Sequence, residues 1–575
     1  MEPAQAMTDL LRWHVRLDPS ASLIHLELRA ELQPGERFSM PAWIPGSYLV
    51  REFVRGVQDL RITRANGAAV PTTKTSKNEW RVDLDAPAEC VLSYSVYGRE
   101  LSVRTAHVDS THAFFNGANA FMRFERLSSL PHAVEIEVPS CWTAFVSLPE
   151  QDGAFVARDF VHLADTVFEV GPHEWHAFEI DGVPHRFVFW GDAALPIDLP
   201  KLESDTIALV RQNMATLDAP LPYERYDFIF HITPSGRGGL EHRDSTTLAV
   251  SWDSFETKDG YLDMLTLIAH EHLHAWNGRR MTPASLAEPD FNVENYVDEL
   301  WVVEGFTSYY DELNTLLAGR MTLDAWLSRQ AKSLTALQKT FGRTRQALTE
   351  SSFDAWIRLY RPYEHTRNQT VSYYLKGALV ALAIDLRLRA STGGAHGLSD
   401  VVRTLWQRWT ERQLGYTTHE VLALISELGG SEVGTDARAW VTTTTPPPFE
   451  ELFASHGLLL DVSSETNSDF GFEFQVESGS AVISSVNEAR ADAIGALSPG
   501  DEIIALDGRR VRGSELRARL QAICAEGPTE TSVLLFRLGR QREVTIQVSA
   551  VTDFILRVDD HAPEEAKNAL QRLIG

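Results

Sequence analysis

The stretch of sequence that decides the fold is LTLIAHEHLHAWN (Leu265–Asn277). The apolar residues before its first histidine predict a buried helix, and on a helix residues four positions apart lie on one face. His270 and His274 have this spacing, so both imidazoles can bind one ion. Zn²⁺ suits the pair because it accepts imidazole nitrogens in a tetrahedral site and keeps one position for water. Glu271, next to the first histidine, is the predicted general base.

A third ligand is expected from a helix that follows this stretch. Three carboxylates are within reach along the sequence: Glu294, Glu299 and Glu304. Glu304 interrupts the apolar run of DELWVVEGFTSYYDEL (Asp298–Leu313), where a carboxylate is costly unless a cation pairs with it. We predict Glu304 as the third ligand, and Glu299 as an acceptor for an imidazole N–H or a solvated charge. His272 points away from the other two histidines and is expected to pack or to support a ligand.

Length and composition indicate a multidomain globular protein. The chain has 575 residues, which favours three or four folding units, and 44% of them are hydrophobic, so each unit can bury a core. The 53 basic and 79 acidic side chains give a net charge of −26, which disfavours nucleic acid as a partner. The scattered cysteines, Cys90, Cys141 and Cys524, predict neither a disulfide framework nor a metal knuckle.

The sequence shows neither a membrane span nor an export signal. It has no run of about 18 or more apolar residues, and Met1–Arg12 lacks a basic segment followed by an apolar one. We therefore expect no integral membrane association and a cytoplasmic location for the chain as written. If its N-terminus has been trimmed, a periplasmic or secreted location stays open.

The spacing of apolar residues divides the chain into a β-rich part, a mixed and helical part, and a second β-rich part. Short alternating runs such as SLIHLELRAEL and EWRVDLDA predict an all-β domain near the N-terminus. In the middle, YDFIFHITP and TTLAVSW predict strands among longer helical segments. Strands return after TTTTPPP (Thr442–Pro448), whose composition predicts a stiff, extended linker.

The last part of the chain resembles a PDZ domain. Three spaced features carry the resemblance: FGFEFQV, GALSPGDEIIALDGRRV and TSVLLFRLGRQREVTIQVSA, which together cover roughly residues 470–550. The resemblance implies that a loop at Phe470, Gly471 and Phe472 accepts an extended strand or the carboxylate of a C-terminal peptide ligand.

Three helical motifs resemble those of the gluzincin aminopeptidases, which include the aminopeptidase N family. They are HEHLHAWN, WVVEGFTSYY and YYLKGA. Together with GGLEH (Gly238–His242), the N-terminal PAWIPGSYLVREF and the PDZ-like segment, they are more closely similar to the glycyl aminopeptidase family. This resemblance covers most of the chain and implies a zinc metalloprotease, a hydrolase acting on peptide bonds.

The resemblance also implies a site for the α-amine of the substrate. Glu241 matches the glutamate that holds this amine in aminopeptidase N, and Gly238 and Gly239 belong to the same substrate-binding segment. His242 stands where aminopeptidase N has an asparagine, so any contact made by that asparagine does not carry over.

The motif YYLKGA places Tyr374 where these enzymes have the phenol that stabilises the oxyanion. Tyr373 is adjacent and leaves an ambiguity of one position. The implied mechanism is direct attack by a water molecule that zinc acidifies and Glu271 deprotonates, after which Glu271 passes the proton to the departing amine. The expected cofactor is one Zn²⁺ per chain.

The expected fold class is multidomain α+β, with the PDZ-like β domain at the C-terminal end. The predicted parts are an N-terminal all-β domain (8–185), a thermolysin-like zinc catalytic domain (186–330), the helical part of the catalytic region (331–455), the PDZ-like domain (456–553) and a helical tail (554–575).

The expected function is removal of N-terminal residues, small ones such as Gly or Ala, from peptides with a free N-terminus. One alternative is a zinc endopeptidase to which the PDZ-like domain delivers protein tails, and this alternative predicts cleavage of blocked peptides. Another is a non-catalytic peptide-binding scaffold. The intact set of His270, Glu271, His274 and Glu304 disfavours the scaffold, because a relic has no need of all four.

Overall fold

The computed structural model of the chain describes residues 10–191, 195–466, 470–490, 497–548 and 552–575. Residues 8 and 9 of the predicted N-terminal domain, and residues 467–469, 491–496 and 549–551 of the predicted PDZ-like domain, lie outside these ranges. The chain divides into two units. The first comprises Met1–Tyr296, Tyr310–Arg320 and Arg403–Tyr416, and the second comprises Val297–Tyr309, Met321–Val402 and Thr417–Gly575.

The N-terminal part of the first unit consists mainly of β-sheets. In Leu11–Asp18, alternate side chains are buried and those between them are exposed, as expected for a strand with one face on the core. An eight-stranded sheet has the order Glu150–Gln151, Ala154–Ala157, His132–Glu137, Leu11–Asp18, Leu23–Leu32, Ala88–Tyr97, Val57–Arg64 and Ala69–Val70.

Two four-stranded sheets complete this β-rich part. One has the order Thr143–Phe145, Val167–Gly171, Ala113–Asn116 and His107–Val108, and the other has the order Arg123–Phe124, Arg37–Ser39, Glu79–Val82 and Thr72–Lys74. Short helical turns connect the strands at Phe53–Gly56, Gly117–Ala120 and Phe160–Ala164. Apolar side chains from all three sheets meet in one buried core.

A five-stranded sheet in the first unit supports the helix that carries the two histidines. Its order is Glu174–Ile180, Val183–Trp190, Tyr226–Thr233, Ser245–Ser251 and Gly239–Glu241. The central strand, Tyr226–Thr233, is parallel to both neighbours and almost entirely buried. Gly239–Glu241 forms the edge of the sheet and is antiparallel to Ser245–Ser251. The helix Lys258–Leu273 packs on these last two strands.

Helices dominate the chain between residues 199 and 454. Before the helix Lys258–Leu273 they are Leu199–Leu217 and Asp253–Glu256, and Ala284–Leu286 forms a 3₁₀ turn after it. The later ones are the π-helix Trp301–Phe306, the α-helices Thr307–Leu317, Leu323–Lys339, Leu348–Phe353, Thr366–Gln369, Leu375–Ser391, Leu398–Arg412, Thr418–Gly429, Ser431–Thr442 and Phe449–Ala454, and the 3₁₀ turn Phe341–Thr344.

The C-terminal part of the second unit contains a sheet with its own apolar core. Its strands are Phe472–Glu477, Ser480–Val486, Glu502–Leu506, Thr529–Arg537 and Arg540–Val548 in spatial order, with Arg509–Arg510 paired to Glu502–Leu506. The helix Leu516–Ile523 and the 3₁₀ turns Glu488–Arg490 and Gly513–Glu515 belong to the same region. Leu458–Thr466 and Thr552–Val558 form a separate antiparallel pair, and the helix Glu564–Ile574 follows.

These elements confirm the predicted multidomain α+β class, with a β-rich N-terminal domain and a helical region. Among the residues that the structure describes, none of the helices has the length and apolar character needed to span a lipid bilayer.

Candidate metal centre

Two histidine side chains face each other near the end of the helix Lys258–Leu273. The helix begins where the Thr257 hydroxyl oxygen accepts the N–H of Gly260, a standard N-terminal cap. His270 and His274 lie one turn apart on one face, and their Nε2 atoms are 3.2 Å apart.

The other nitrogen of each imidazole donates a hydrogen bond. Nδ1 of His270 donates to Oδ2 of Asp311 at 2.8 Å, and Nδ1 of His274 donates to the carbonyl oxygen of Asn277 at 2.8 Å. A neutral imidazole that donates through Nδ1 keeps its lone pair on Nε2, so both lone pairs face the same point. Ligand nitrogens of a tetrahedral zinc ion lie about 3.3–3.4 Å apart, because each Zn–N bond is about 2.0–2.1 Å long. The observed separation therefore fits such an ion.

Three groups of side chains in the described part of the chain have the donor atoms for a metal ion. They are His270, His274 and Glu304; Glu241, Glu271 and His274; and His112, Glu169 and His173. In the second and third groups, each of which lies within the first unit, the ligand atoms lie within 4.8 Å of one another. The first group has the two imidazoles and one carboxylate that catalytic zinc sites use.

Glu304 is a buried carboxylate, with only 2% of its surface exposed. It lies in the π-helix Trp301–Phe306, a helix type often found at functional sites. The next residue, Gly305, packs against Gly377 of the helix Leu375–Ser391. A Cβ on Gly305 would lie 2.7 Å from the Cα of Gly377, so this close approach requires glycine at both positions.

Tyr374 has a hydroxyl that can act as a hydrogen-bond donor. Burial raises the pKa of Tyr374 well above its usual value, and the negative charge of Glu304 adds to the shift, so the phenol stays protonated. Its hydroxyl lies 2.9 Å from that of Tyr360. The adjacent Tyr373 stacks on the Tyr374 ring at 4.8 Å between centroids but is itself fully buried.

Two carboxylates beside the histidines pack against glycines. Glu271 and Glu241 are each only 5% exposed. A Cβ on Gly239 would lie 2.3 Å from Oε1 of Glu271, and a Cβ on Gly46 would lie 2.5 Å from Oε1 of Glu241. Gly46 also has a φ of +83°, which L side chains rarely adopt. Both glycines therefore make room for a carboxylate that a larger residue would displace.

The loop that carries Gly46 comes from the N-terminal β-rich part and is held firmly in place. Nε1 of Trp43 donates to the carbonyl oxygen of Asp290 at 2.9 Å, and the Trp43 ring stacks on Phe291 at 5.8 Å. The backbone N–H of Ala42 donates to the carbonyl oxygen of Phe291 at 2.7 Å. These bonds position the loop against Glu241, a role that the sequence alone did not indicate.

The substrate-binding segment predicted from GGLEH has a defined backbone. The carbonyl oxygen of Gly239 accepts from Nη2 of Arg104 at 3.0 Å, and Gly238 has open space where a side chain would lie. His242 is buried, and its Nδ1 lies 3.5 Å from Oδ1 of Asp165. His242 is thus directed toward the carboxylate of Asp165.

The prediction for Glu299 was wrong. Glu299 is buried and accepts the backbone N–H of Thr418 at 3.0 Å, at the start of the helix Thr418–Gly429. The first N–H groups of a helix lack partners within the helix, which explains why a carboxylate is held there. The acceptor for an imidazole is Asp311 instead, seven residues after Glu304. The spacing of Asp311 from Glu304, about two helical turns, is the feature of the sequence that could have indicated this role.

His272 packs as predicted. It is fully buried, with Nε2 at 2.7 Å from the Tyr223 hydroxyl and Nδ1 at 3.2 Å from Nδ2 of Asn213. Burial lowers the pKa of His272 well below its usual value, so the imidazole is neutral.

The segment with the predicted peptide-binding loop lies at a sheet edge. Phe470 and Phe472 are buried in the core of the C-terminal sheet, and Gly471 has a φ of +83°. The strand Phe472–Glu477 pairs only with Ser480–Val486 among the described residues, so it is an edge strand there.

Two segments of the chain match known protein-family models. Residues 12–172 match the Peptidase M61 N-terminal domain, and residues 263–380 match the M61 glycyl aminopeptidase model. Over these two segments the chain is similar to the M61 peptidases. The chain is a hydrolase acting on peptides, as predicted, and the matched segment 263–380 includes His270, Glu271, His274, Glu304 and Tyr374.

The chain shares its fold with an aminopeptidase N family protein from Idiomarina loihiensis. The two are 24% identical over 98% of this chain and 100% of that chain, with a TM-score of 0.90. An M1 zinc metallopeptidase from Deinococcus radiodurans is 18% identical over 76% of this chain and 95% of that chain, with a TM-score of 0.49. A variant of that enzyme bound to the substrate Tyr-Ser-Ala gives the same values. The search of curated proteins gave no match.

Proposed function

We propose that this chain is a zinc aminopeptidase in which His270, His274 and Glu304 hold the ion. The observation that carries the proposal is the 3.2 Å separation of the two Nε2 atoms, while each Nδ1 donates elsewhere. Glu304 supports it as a buried carboxylate within the matched segment. When bound, Zn²⁺ supplies Lewis acidity that makes water a better nucleophile and polarises the scissile carbonyl.

Glu271 acts as the general base in this proposal. Its carboxylate adjoins the histidine pair and lies against Gly239, so its position is set by packing. Glu271 takes a proton from the attacking water and later delivers it to the departing amine. The Tyr374 hydroxyl donates a hydrogen bond to the oxyanion as negative charge develops on it, the electrostatic contribution that is often the largest in hydrolysis.

Glu241 restricts this chemistry to the first peptide bond. Carboxylate oxygens of Glu241 and Glu271 and an imidazole nitrogen of His274 lie within 4.8 Å of one another. An ammonium held by Glu241 therefore lies beside the reacting atoms. Gly238 and Gly239 form the adjoining backbone. We propose peptides with a free N-terminus and a small first residue, Gly or Ala, as substrates. The buried carboxylate of Glu241 supports the free N-terminus, and the match to the M61 glycyl aminopeptidase model supports the small first residue.

For the remaining domains we propose the assignments made from the sequence. A sheet that supports the histidine helix fits a thermolysin-like catalytic domain at 186–330, with 331–455 as its helical part. We propose that 456–553 is a PDZ-like domain in which Phe470, Gly471 and Phe472 receive a peptide. The edge strand Phe472–Glu477 supports strand addition there. The N-terminal β domain (8–185) and the tail (554–575) complete the division.

Removal of the metal is expected to abolish peptide hydrolysis. Chelation followed by desalting should remove both zinc and activity, and stoichiometric Zn²⁺ should restore activity. The reason is that water and the carbonyl lose their Lewis acid while the protein stays folded. The measurement is the zinc content of each sample together with its rate of hydrolysis of a glycyl anilide. Full activity in metal-free protein would contradict the proposal.

Replacing Tyr374 with phenylalanine is expected to lower kcat by about 10²–10³, the usual loss on removing one oxyanion donor. Metal content should not change, because Tyr374 is not a ligand. Tyr373→Phe is the matched control, since it removes a hydroxyl from the adjacent, fully buried ring. A large loss in Tyr373→Phe with none in Tyr374→Phe would move the role to Tyr373.

A further inference from the structure

A second group of histidines surrounds one buried carboxylate in the first unit. Glu169, on the strand Val167–Gly171, has no exposed surface. Its Oε1 accepts from Nδ1 of His112 at 2.8 Å and from Nε2 of His173 at 2.7 Å, and its Oε2 accepts from Nε2 of His231 at 2.7 Å. Three imidazole nitrogens therefore converge on a single carboxyl group.

Neighbouring residues hold the imidazoles of this cluster in place. A Cβ on Gly171 would lie 2.5 Å from Cε1 and Nε2 of His173, so glycine is what allows this side chain to fold back over the strand. The Trp190 ring stacks on His112 at 4.3 Å between centroids, with 14° between the planes. The side chains of His112, His173 and His231 are all nearly inaccessible to solvent.

The negative charge of the buried Glu169 carboxylate needs a cation to balance it. A carboxylate buried away from water is costly unless a cation balances it. In the described part of the chain, its ion-pair partners are these three histidines, and neither lysine nor arginine is among them.

We propose that His112, Glu169 and His173 form a second metal site, which takes a divalent transition-metal ion such as Zn²⁺, while His231 holds the other oxygen of the Glu169 carboxylate. Two imidazole nitrogens and one carboxylate oxygen, with water in the fourth position, are a donor set that zinc accepts in tetrahedral geometry. The present separations of 2.7–2.8 Å between Oε1 of Glu169 and the nitrogens of His112 and His173 are those of hydrogen bonds. With the ion bound they widen to about 3.0–3.4 Å, since each ligand then lies about 2.0–2.1 Å from it.

This second site has a structural role. Its three ligands come from the N-terminal β-rich part and its continuation, whereas His231, which is bonded to the other oxygen of Glu169, lies on the central strand Tyr226–Thr233 of the five-stranded sheet. An ion there joins the two sheets. His173 and His231 lie outside both segments that match the M61 models, whereas His112 and Glu169 lie inside the first.

Metal analysis of the full chain tests the second site separately from the first. The double variant His270→Ala, His274→Ala lacks the proposed catalytic ligands. After chelation, reloading with Zn²⁺ and removal of free ion, it is expected to keep one zinc per chain and to gain thermal stability from Zn²⁺, because the ion binds only the folded state. Adding Glu169→Gln or His173→Gln should reduce the content to none.

The chain with an intact catalytic motif provides an independent measurement. It is expected to contain two zinc ions, and His173→Gln should contain one and hydrolyse peptides at an unchanged rate. A double variant that binds no zinc overturns the proposal, as does one zinc retained after Glu169→Gln and His173→Gln. An intact chain with one zinc, unchanged by His173→Gln, would show that the cluster is a hydrogen-bonded network without a metal.

Discussion

Glu271→Gln is expected to retain its metal and lose almost all activity. An amide cannot accept the proton of the attacking water, and a positioned general base contributes about 10²–10⁴ in rate. Glutamine keeps the shape of the side chain, so its packing against Gly239 is preserved. The measurement is kcat on a glycyl anilide, together with zinc content and thermal unfolding.

Glu288→Gln is the matched control for this change, because it makes the same substitution at an exposed carboxylate outside the site. The control should behave like the unmodified chain. If Glu271→Gln turned over substrate at the unmodified rate, the base would be another group.

Glu241→Ala is expected to lower kcat/KM for substrates with a free N-terminus by roughly 10² to several times 10³. The estimate follows from about 3–5 kcal/mol for breaking a buried ion pair, with about 1.4 kcal/mol per factor of ten. The kcat/KM for substrates with an acetylated N-terminus should fall much less, because these substrates have no ammonium for Glu241 to bind. The measurement is kcat/KM for both substrate types in both proteins.

Glu241→Gln separates charge from shape. It keeps the side-chain volume beside Gly46 but removes the negative charge, so it should lose activity much as Glu241→Ala does. Wild-type kcat/KM in Glu241→Gln would show that the ammonium is held elsewhere.

Local patterns in the sequence carried the prediction of the histidine pair. The four-residue spacing of His270 and His274 places both on one helix face, and the structure has their Nε2 atoms 3.2 Å apart. The apolar surroundings of Glu304 likewise predicted burial, which the structure shows. The alternation in the first 180 residues predicted the β-rich N-terminal domain for the same reason, since each pattern reports which face meets a core.

Contacts between segments distant in the sequence could not be predicted in this way. Gly46 meets Glu241 across almost two hundred residues, and nothing in the composition of its loop indicates which carboxylate it will face. For Glu299, closeness in the sequence led to a wrong prediction. Its position near a proposed ligand suggested support for an imidazole, but the N–H of Thr418 at a helix start is its partner. Tertiary packing decides both cases.

The most direct test of the central claim compares one glycyl anilide with its N-acetyl form in the unmodified, zinc-loaded chain. Glu241 is proposed to hold the substrate's ammonium, and an acetylated substrate leaves that buried charge unpaired, at a cost of about 3–5 kcal/mol. We therefore expect kcat/KM for the free amine to exceed that for the acetylated form by a factor of about 10² or more. Equal values would contradict the aminopeptidase assignment and favour an endopeptidase.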